Sequence, residues 1–397
     1  MPVRVVPGTR AIAEAVKLAD ADVISAYPIR PYTGVMNALA KMLADGDFDA
    51  EYHVAVSEHD QFEIAKHASV CGARVFTGSS GTGWGYAYEA IYVTSLGMVP
   101  VVAMIGCRAL DDPGNFGMEH NDAFSTRDLG WMTQFAQDAQ EALDLTLIGY
   151  RVAEDHRVLI PWVVAVDGFV TTHVASPVDI PTKEQVEKFL PPYKPPYPTD
   201  PAAGPITRGQ HVAPSLIGPE QRKQVDAAMK NAKKVIAEAY EDFAKIFGRA
   251  YPPFIEEFMM DDAETAFIVM GAYAKNLKTF VKKQREKGEK VGVVRIKSFR
   301  PFPTEELQQT LSKVKAVGVF DFDFSFGSPD SGGVVFHEVK SALYDSAKKP
   351  NVINYICAGG RDVLTEHFEK ALELAKEATE GKPEKTVHWL TLRGPDI

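Results

Sequence analysis

Cysteine is scarce in this chain, and its few cysteines are not spaced to bind a metal cluster. Of 397 residues only Cys71, Cys107 and Cys357 are cysteine, and no two of them form a C-x-x-C pair. This spacing supports neither a disulfide framework nor an iron–sulfur cluster ligated within the chain. We expect the three thiols to be buried as small apolar side chains. If electrons leave this protein through a cluster, another chain holds that cluster.

The sequence also lacks the segments that would direct it to a membrane or to nucleic acid. No apolar run reaches 18 residues, and the N-terminus, MPVRVVPGTRAIAEAV, has no apolar stretch followed by a small-residue cleavage site. The formal charge is −10, and most lysines and arginines are interspersed with acids, so we expect no broad basic surface. These absences predict a cytoplasmic protein with no nucleic-acid or membrane partner. Any anion must be bound by a local cluster of cations.

What the sequence does contain is an alternation of helix-period and strand-like segments, which predicts parallel βαβ units of the α/β class. In the first half the predicted helices are 8–18, 61–72, 86–96 and 140–152, and the predicted strands are 22–26, 74–77, 99–105 and 158–166. In the second half the predicted strands are 266–270, 291–296, 316–320 and 352–356, and the predicted helices are 273–287 and 304–315.

A proline-rich stretch separates the two α/β regions. Eleven prolines lie between Pro177 and Pro219, among them those of LPPYKPPYP, which predicts an extended connector rather than helix or central strand. A long amphipathic helix is predicted directly after it, over 220–247. We therefore predict a first domain at 1–175, a connector at 176–219, and the long helix with a second domain at 220–397.

Four loops of the first domain follow strand-like segments, where ligands bind in open α/β sheets. They are YPIRPYTG, SEHDQ, TGSSGTGWG and GCRALDDPGNFG. Arg30 and Arg108 each offer a guanidinium that can bind a carboxylate bidentately, although either is equally compatible with a surface or structural role. Glu58 is compatible with acid–base chemistry or with a plain helix N-terminal carboxylate. The glycine-rich loop is a weak anion-site signal, because it also suits tight strand-to-helix packing.

Several strings together carry a family resemblance: AYPIRPYTG, SEHD, ARVFTGSSG, CRALDDPGNFGMEHNDA, RDLGW, WVVAVDGF and VGVVRIKSFRPFP. They resemble the alpha subunit of the thiamine diphosphate-dependent 2-oxoacid:ferredoxin oxidoreductases. The resemblance implies a pyrimidine-type thiamine diphosphate-binding domain with a parallel sheet, followed by a transketolase C-terminal-like α/β domain. It also implies that this chain holds half of an active site and no metal of its own.

The same resemblance implies the partner subunits and the shared cofactor. A beta subunit would supply the diphosphate and Mg²⁺ site, and gamma- and delta-type subunits would hold [4Fe–4S] clusters, within a dimer of heteromers. This chain agrees by omission, because it contains no G-D-G motif for the diphosphate. The final electron acceptor, ferredoxin or NAD, and the use of coenzyme A stay open.

Residue by residue, the resemblance assigns roles to the loops. Glu58 matches the glutamate that hydrogen-bonds the aminopyrimidine and relays the C2 proton of the thiazolium, and Pro28 and Ile29 lie along the cofactor. Arg108 matches the arginine that receives the substrate carboxylate. Arg30 is a departure, because members that act on pyruvate usually have threonine there, in YPITP.

The arginine at position 30 suggests a substrate with additional negative charge. YPIRPYTG resembles the corresponding string of oxalate oxidoreductase, in which Asp111 and Asp112 would lie in a mobile loop near the substrate, with Gly114 and Gly117 as hinges. Oxalate is thus the first expectation.

Two alternatives stay open. The aromatic residues Trp84, Tyr86 and Tyr88 leave room for phenylglyoxylate or another 2-oxoacid oxidised to an acyl-CoA, although such closely spaced aromatics are commonly core residues. An alternative of another class is a non-catalytic assembly subunit.

Overall fold

Two mainly parallel sheets, each covered by helices, form the core of the protein. The computed structural model describes residues 3–110, 115–197, 199, 202, 204–206 and 217–394. In the first half the strands are β1 (Val3–Val6), β2 (Val23–Ala26), β3 (Glu51–Val54), β4 (Val75–Ser80), β5 (Val102–Cys107), β6 (Met132–Ala136), β7 (Trp162–Asp167) and β8 (Ser176–Asp179). The helices between them are α1 (Gly8–Leu18), α2 (Thr33–Ala44), α3 (Glu58–Val70), α4 (Gly81–Tyr86), α5 (Tyr88–Leu96), α6 (Asn121–Ser125), α7 (Ala139–Ala153) and α8 (Val170–His173).

The second half begins with α9 (Lys183–Phe189) and the long α10 (Gly218–Phe247) and then builds its own sheet. Its strands are β9 (Ile255–Phe258), β10 (Thr265–Val269), β11 (Val291–Ile296), β12 (Ser298–Arg300), β13 (Ala316–Asp321), β14 (Asn351–Ile356) and β15 (Val387–Trp389). Its helices are α11 (Tyr273–Glu286), α12 (Thr304–Leu311), α13 (Val334–Leu343) and α14 (Thr365–Glu380). Within the described ranges no helix combines the length and apolar character needed to cross a bilayer.

Strand order shows how the two halves join. The first sheet has seven strands in the order β12-β6-β7-β5-β4-β2-β3, and the second has six in the order β15-β14-β13-β10-β11-β9. All neighbours are parallel except β9 and β12, and β12 crosses from the second half to pair antiparallel with β6. Strands β1 and β8 form a separate antiparallel ribbon. The second half therefore contributes one strand, β12, to the sheet of the first half.

The predicted α/β class matches this architecture, and two local expectations differ from it. The segment predicted as extended connector contains β8 and α9; Thr182 caps α9 by accepting the N–H of Gln185, a capping box that the prolines around it obscured. Cys107 and Cys357 are buried as expected, but Cys71 is exposed at the end of α3, so its expected burial is wrong. The predicted domain limits stay predictions.

A buried ion cluster joins the two halves. Arg295 on β11 donates to both carboxylate oxygens of Glu141 on α7, at 2.7 and 2.8 Å, and its Nε donates to Glu256 at 2.8 Å. Lys297 Nζ lies 3.1 Å from Glu141 Oε1 as an ion pair without hydrogen-bond alignment. Burial lowers the pKa of Lys297 to about 8, against the opposing pull of Glu141. Burial alone would raise the pKa of Glu141, but Arg295 and Lys297 hold it far below its usual value.

We predict that Glu141→Gln lowers the free energy of unfolding by about 3–5 kcal/mol, the range for breaking a buried ion pair, because it removes a carboxylate that two buried cations share. The matched control is Glu238→Gln, which breaks a surface pair with Arg157 whose side chains are 43% and 48% exposed. That control should cost at most about 1 kcal/mol. Urea unfolding measures both, and equal losses in the two variants would contradict the assignment.

Candidate active site

The candidate residues converge at one edge of the first sheet. Strands β2, β3, β4, β5 and β7 run parallel, so the segments that follow them meet at the carboxyl edge. These segments carry Arg30, Glu58, Gly81, Arg108 and Phe169, respectively. The structure therefore brings together the three side chains that sequence reasoning singled out most strongly, namely Arg30, Glu58 and Arg108.

Glu58 is a buried carboxylate that lies against a glycine. It begins α3, after Ser57, whose side chain accepts the N–H of Asp60. It is 8% exposed, and no residue of the described ranges donates a hydrogen bond to its carboxylate. A Cβ at Gly83 would lie 2.3 Å from Glu58 Oε1 and 2.7 Å from Ile29 Cδ1, so a larger residue there would displace the ends of these two side chains. Glu58 is not among the residues whose side-chain polar atoms are both fully buried and without a partner, so its carboxylate can accept a hydrogen bond from a bound group.

Arg108 is held by its backbone rather than by its side chain. Its N–H donates to Asp122 Oδ2 at 3.0 Å, and the same oxygen accepts the N–H of Gly81 at 2.9 Å. Burial raises the pKa of Asp122 to about 7, against these N–H bonds. The Arg108 side chain passes directly over Gly81, where a Cβ would lie 2.4 Å from its Nε. The Asp122 carboxyl group thus links the glycine-rich loop at Gly81 to the loop that carries Arg108.

The two arginines line one small cavity, and no acid of the described ranges pairs with either of them. Arg108 Nε is buried without a hydrogen-bond partner, and its guanidinium lies 5.2 Å from the ring centre of Phe116. Within the described ranges neither Arg30 nor Arg108 forms an ion pair with a carboxylate. The cavity of about 70 Å³ is lined by Arg30, Pro31, Arg108, Phe116, Phe169 and His173. Two guanidinium groups that have no acid partner among the described residues form a candidate anion site around so small a volume.

The remaining predicted residues fall into three groups. Pro28 is exposed and Ile29 is half-buried beside Gly83, both in the loop that leads to Arg30. Asp111 and Asp112 lie outside the described residues, as does Gly114. Gly117 packs onto Gly360 of the second half, so closely that a Cβ would lie 2.0 Å from its carbonyl oxygen.

The aromatic residues of the glycine-rich loop do not form a pocket wall. Trp84 is buried, donates to Thr126 Oγ1 at 2.8 Å and packs edge-on against Phe62. Trp84 is therefore a core residue, in agreement with the alternative that such closely spaced aromatics are core residues. Tyr86 and Tyr88 are exposed, and neither is among the residues that line the cavity of the two arginines.

Sequence reasoning missed four residues of the site, Phe116, Asp122, Phe169 and His173. Phe169 and His173 follow the apolar strand β7, so the rule that found Arg108 was available for them too. Asp122 had no such signal, because its partners are backbone N–H groups brought close only by folding. Among the described residues, no three His, Cys, Asp or Glu side chains are placed to hold a metal ion.

Two family profiles match the chain. The profile described as pyruvate flavodoxin/ferredoxin oxidoreductase, thiamine diphosphate-binding, matches residues 14–241, more than half of the chain. The chain belongs to this family. The profile of pyruvate:ferredoxin oxidoreductase core domain II matches residues 263–368. The resemblance to the 2-oxoacid:ferredoxin oxidoreductases is therefore confirmed at the level of the family, and the chain is a subunit of such an oxidoreductase.

Curated relatives match this chain over nearly its whole length. Pyruvate synthase subunit PorA of Pyrococcus abyssi is 41% identical over 396 residues, which covers 99% of each chain. Ketoisovalerate oxidoreductase subunit VorA of the same organism is 36% identical over 392 residues, which covers 98% of each chain. Both are named as subunits, so these relatives work in multi-subunit complexes.

Solved structures support the fold. A 2-oxoglutarate:ferredoxin oxidoreductase from Magnetococcus marinus superposes with a TM-score of 0.70 at 18% identity, covering 95% of this chain and 65% of that one. A split-gene transketolase superposes with a TM-score of 0.56 at 12% identity, covering 96% of this chain and 100% of that one. With the family profiles, these likenesses confirm the predicted fold, a thiamine diphosphate-binding domain followed by a transketolase-like domain.

We predict that two glycines of α4 respond oppositely to alanine. Gly83→Ala places a methyl group against Glu58 and Ile29 and should lower the free energy of unfolding by about 1–3 kcal/mol, the range for overpacking. At Gly85 a Cβ would meet nothing within 4 Å. Gly85→Ala should therefore raise the free energy of unfolding by up to about 1 kcal/mol, because alanine has a higher helix propensity than glycine. Thermal and urea unfolding test this, and equal changes at the two sites would refute the close approach at Gly83.

Proposed function

We propose that this chain is the alpha subunit of a complex that oxidises oxalate to two CO₂ and two electrons. The observation that carries this proposal is that the guanidinium groups of Arg30 and Arg108 line one cavity of about 70 Å³ and have no acid partner among the described residues. Each guanidinium can bind a carboxylate through two parallel hydrogen bonds. Two of them around so small a volume suit a compact dianion better than a monoanion with an apolar side group.

The site around Glu58 fits the pyrimidine end of thiamine diphosphate. Its buried carboxylate has no donor within the described ranges, and an aminopyrimidine supplies N–H donors. Gly83 leaves room beside the carboxylate, and Ile29 offers an apolar contact, with Pro28 next to it in the same loop. When bound, the cofactor supplies a nucleophilic carbon that attacks a carbonyl or carboxyl carbon and accepts the electrons left by decarboxylation. Glu58 would hold a proton at the pyrimidine nitrogen it faces.

The rest of the active site is assigned to partner subunits. A beta subunit would hold the diphosphate and Mg²⁺, and gamma- and delta-type subunits would hold the [4Fe–4S] clusters, in a dimer of heteromers in the cytoplasm. The absence of a G-D-G motif from the sequence and the far separation of its three cysteines support this division. Asp111 and Asp112 stay in the proposal as substrate-side acids.

A monoanionic 2-oxoacid is the second candidate substrate. It is favoured by the similarity to subunits named for pyruvate and ketoisovalerate, which extends over nearly the whole chain. Its product would be an acyl-CoA, with electrons passed to ferredoxin or NAD. Phenylglyoxylate loses its sequence-based support, because Trp84 is a core residue. A purely structural role leaves the buried Glu58 carboxylate and the Arg108 guanidinium without an explanation.

We predict that Glu58→Gln slows turnover by about two to four orders of magnitude, the range for loss of acid–base assistance, because the amide cannot hold the proton. The measurements are steady-state turnover of the assembled complex and deuterium exchange at C2 of its bound thiamine diphosphate. Glu63→Gln is the control, since Glu63 lies on the same helix in a partly exposed pair with Lys66. An unchanged exchange rate in Glu58→Gln would remove Glu58 from this role.

We predict that substitutions of the two arginines differ in kind. Arg108→Ala should lower kcat/KM for every acid, because any substrate carboxylate loses a charge-assisted partner. The loss of transition-state stabilisation should be about 2 kcal/mol or more. Arg30→Thr should abolish oxalate oxidation and spare or improve glyoxylate and pyruvate, since only the second carboxylate loses its counter-charge. Arg30→Lys keeps the positive charge but loses the bidentate hydrogen-bonding geometry of the guanidinium, so it should retain part of the oxalate activity.

The substrates to compare are oxalate, glyoxylate, pyruvate and phenylglyoxylate, in the wild-type complex and in each variant. Equal losses on all four acids for Arg30→Thr would make Arg30 structural. A wild-type preference for pyruvate over oxalate would favour the second candidate.

A further inference from the structure

The backbone turns abruptly at Phe169, at the mouth of the cavity. Strand β7 ends at Asp167, Phe169 has φ of 68° and ψ of −53°, and α8 begins at the next residue. The N–H of Val170 donates to the carbonyl of Gly168 at 2.8 Å, which closes a γ-turn with Phe169 at its centre. The γ-turn with positive φ is rare and strained, and a bulky side chain makes the strain worse.

Neighbouring residues hold this turn in place. The N–H of Phe169 donates to Thr172 Oγ1 at 2.9 Å, and that hydroxyl lies 2.8 Å from Nδ1 of His173. The N–H of Gly168 donates to the carbonyl of Cys107, the residue before Arg108, at 2.9 Å. The turn is therefore fixed directly beside the arginine loop.

The fold gains little from a phenylalanine at this position. The side chain is 63% exposed, so it buries little apolar surface, and its backbone would be relaxed in a glycine. Its ring lies beside that of His173, with ring centres 5.5 Å apart and planes tilted by 31°, and both residues line the cavity together with Arg30 and Arg108. Strain retained at such a place points to function.

We infer that Phe169 determines substrate size: held out by the strained turn, its ring closes the cavity against any acid with a branched or longer apolar group. The cavity of about 70 Å³ is several times smaller than the pockets of about 300–1,000 Å³ that take larger ligands. The inference rests on the proposed substrate site and restricts its substrate class to the shortest acids, whether oxalate or a small 2-oxoacid.

The test uses the assembled complex with Phe169→Gly, Phe169→Leu and a matched control, Met259→Gly. Met259 is also a partly exposed apolar residue with positive φ, at 55°, but it lies in the loop between β9 and β10 of the second half. The substrates are glyoxylate, pyruvate, 2-oxobutyrate and 2-oxoisovalerate, which differ only in the apolar group. The readout is kcat/KM where an acid is turned over, and its inhibition constant against the preferred substrate where it is not.

We expect the preference for glyoxylate over 2-oxoisovalerate to shrink by about tenfold or more in Phe169→Gly, in line with the discrimination that one or more methylene groups allow in a pocket. Phe169→Leu should fall between this variant and the wild type, and Met259→Gly should keep the wild-type preference. The melting temperature of Phe169→Gly should not fall below that of the wild type, because the turn loses its strain.

An unchanged preference in Phe169→Gly would overturn the inference. Loss of complex assembly, seen by size-exclusion chromatography, or a lowered melting temperature would also overturn it and give Phe169 a docking or structural role. Because oxalate is not in this series, failure of the oxalate proposal would show in the Arg30 variants and not here.

Discussion

The buried carboxyl group of Asp122 is the contact on which the geometry of the site depends. It accepts the N–H of Gly81, where the glycine-rich loop turns into α4, and the N–H of Arg108, where β5 has just ended. Gly81 and Gly83 in turn leave the space that Arg108 and Glu58 occupy. A single acceptor therefore sets the spacing between the acid–base side of the site and its anion-binding side.

The loop that carries Asp122 is itself clamped between the two halves. The N–H of His120 donates to the carbonyl of Phe322, and His120 Nε2 lies 2.8 Å from Asp167 Oδ1. Burial alone would lower the pKa of His120, but the Asp167 carboxylate raises this pKa above its usual value. Asp167 also accepts the N–H of Ala272 from the second half. The second domain thus contributes to the site without lining its cavity.

The sequence predicts elements well where both faces of a strand are covered. Strands β11 and β13 are buried at every residue, and each is an apolar run with a single charged residue, Arg295 and Asp321, respectively. Strand β3, Glu51–Val54, is an exposed edge strand with mixed polarity, so it carries no such signal. The pairing of β12 with β6 depends on how the halves meet, which no local pattern encodes. Likewise, Arg30, Glu58 and Arg108 could be predicted because they lie in loops that follow strands. Asp122 could not, because it binds backbone N–H groups, and the role of Phe169 depends on a turn conformation that the sequence does not reveal.

The Arg108 guanidinium has no acid partner among the described residues because the nearby Asp122 carboxyl group is hydrogen-bonded to backbone N–H groups instead. Elsewhere, the buried Arg74 and Arg295 and the half-buried Arg249 have carboxylate partners, Glu154, Glu141 and Asp144, respectively. Beside the cavity, Asp122 accepts the backbone N–H of Arg108 and forms no ion pair with its guanidinium. Backbone donors thus satisfy the nearby carboxylate of Asp122, so among the described residues no acid competes with an anion for the Arg108 guanidinium. In a chain with a formal charge of −10, this local use of backbone donors is what allows a cation-lined cavity.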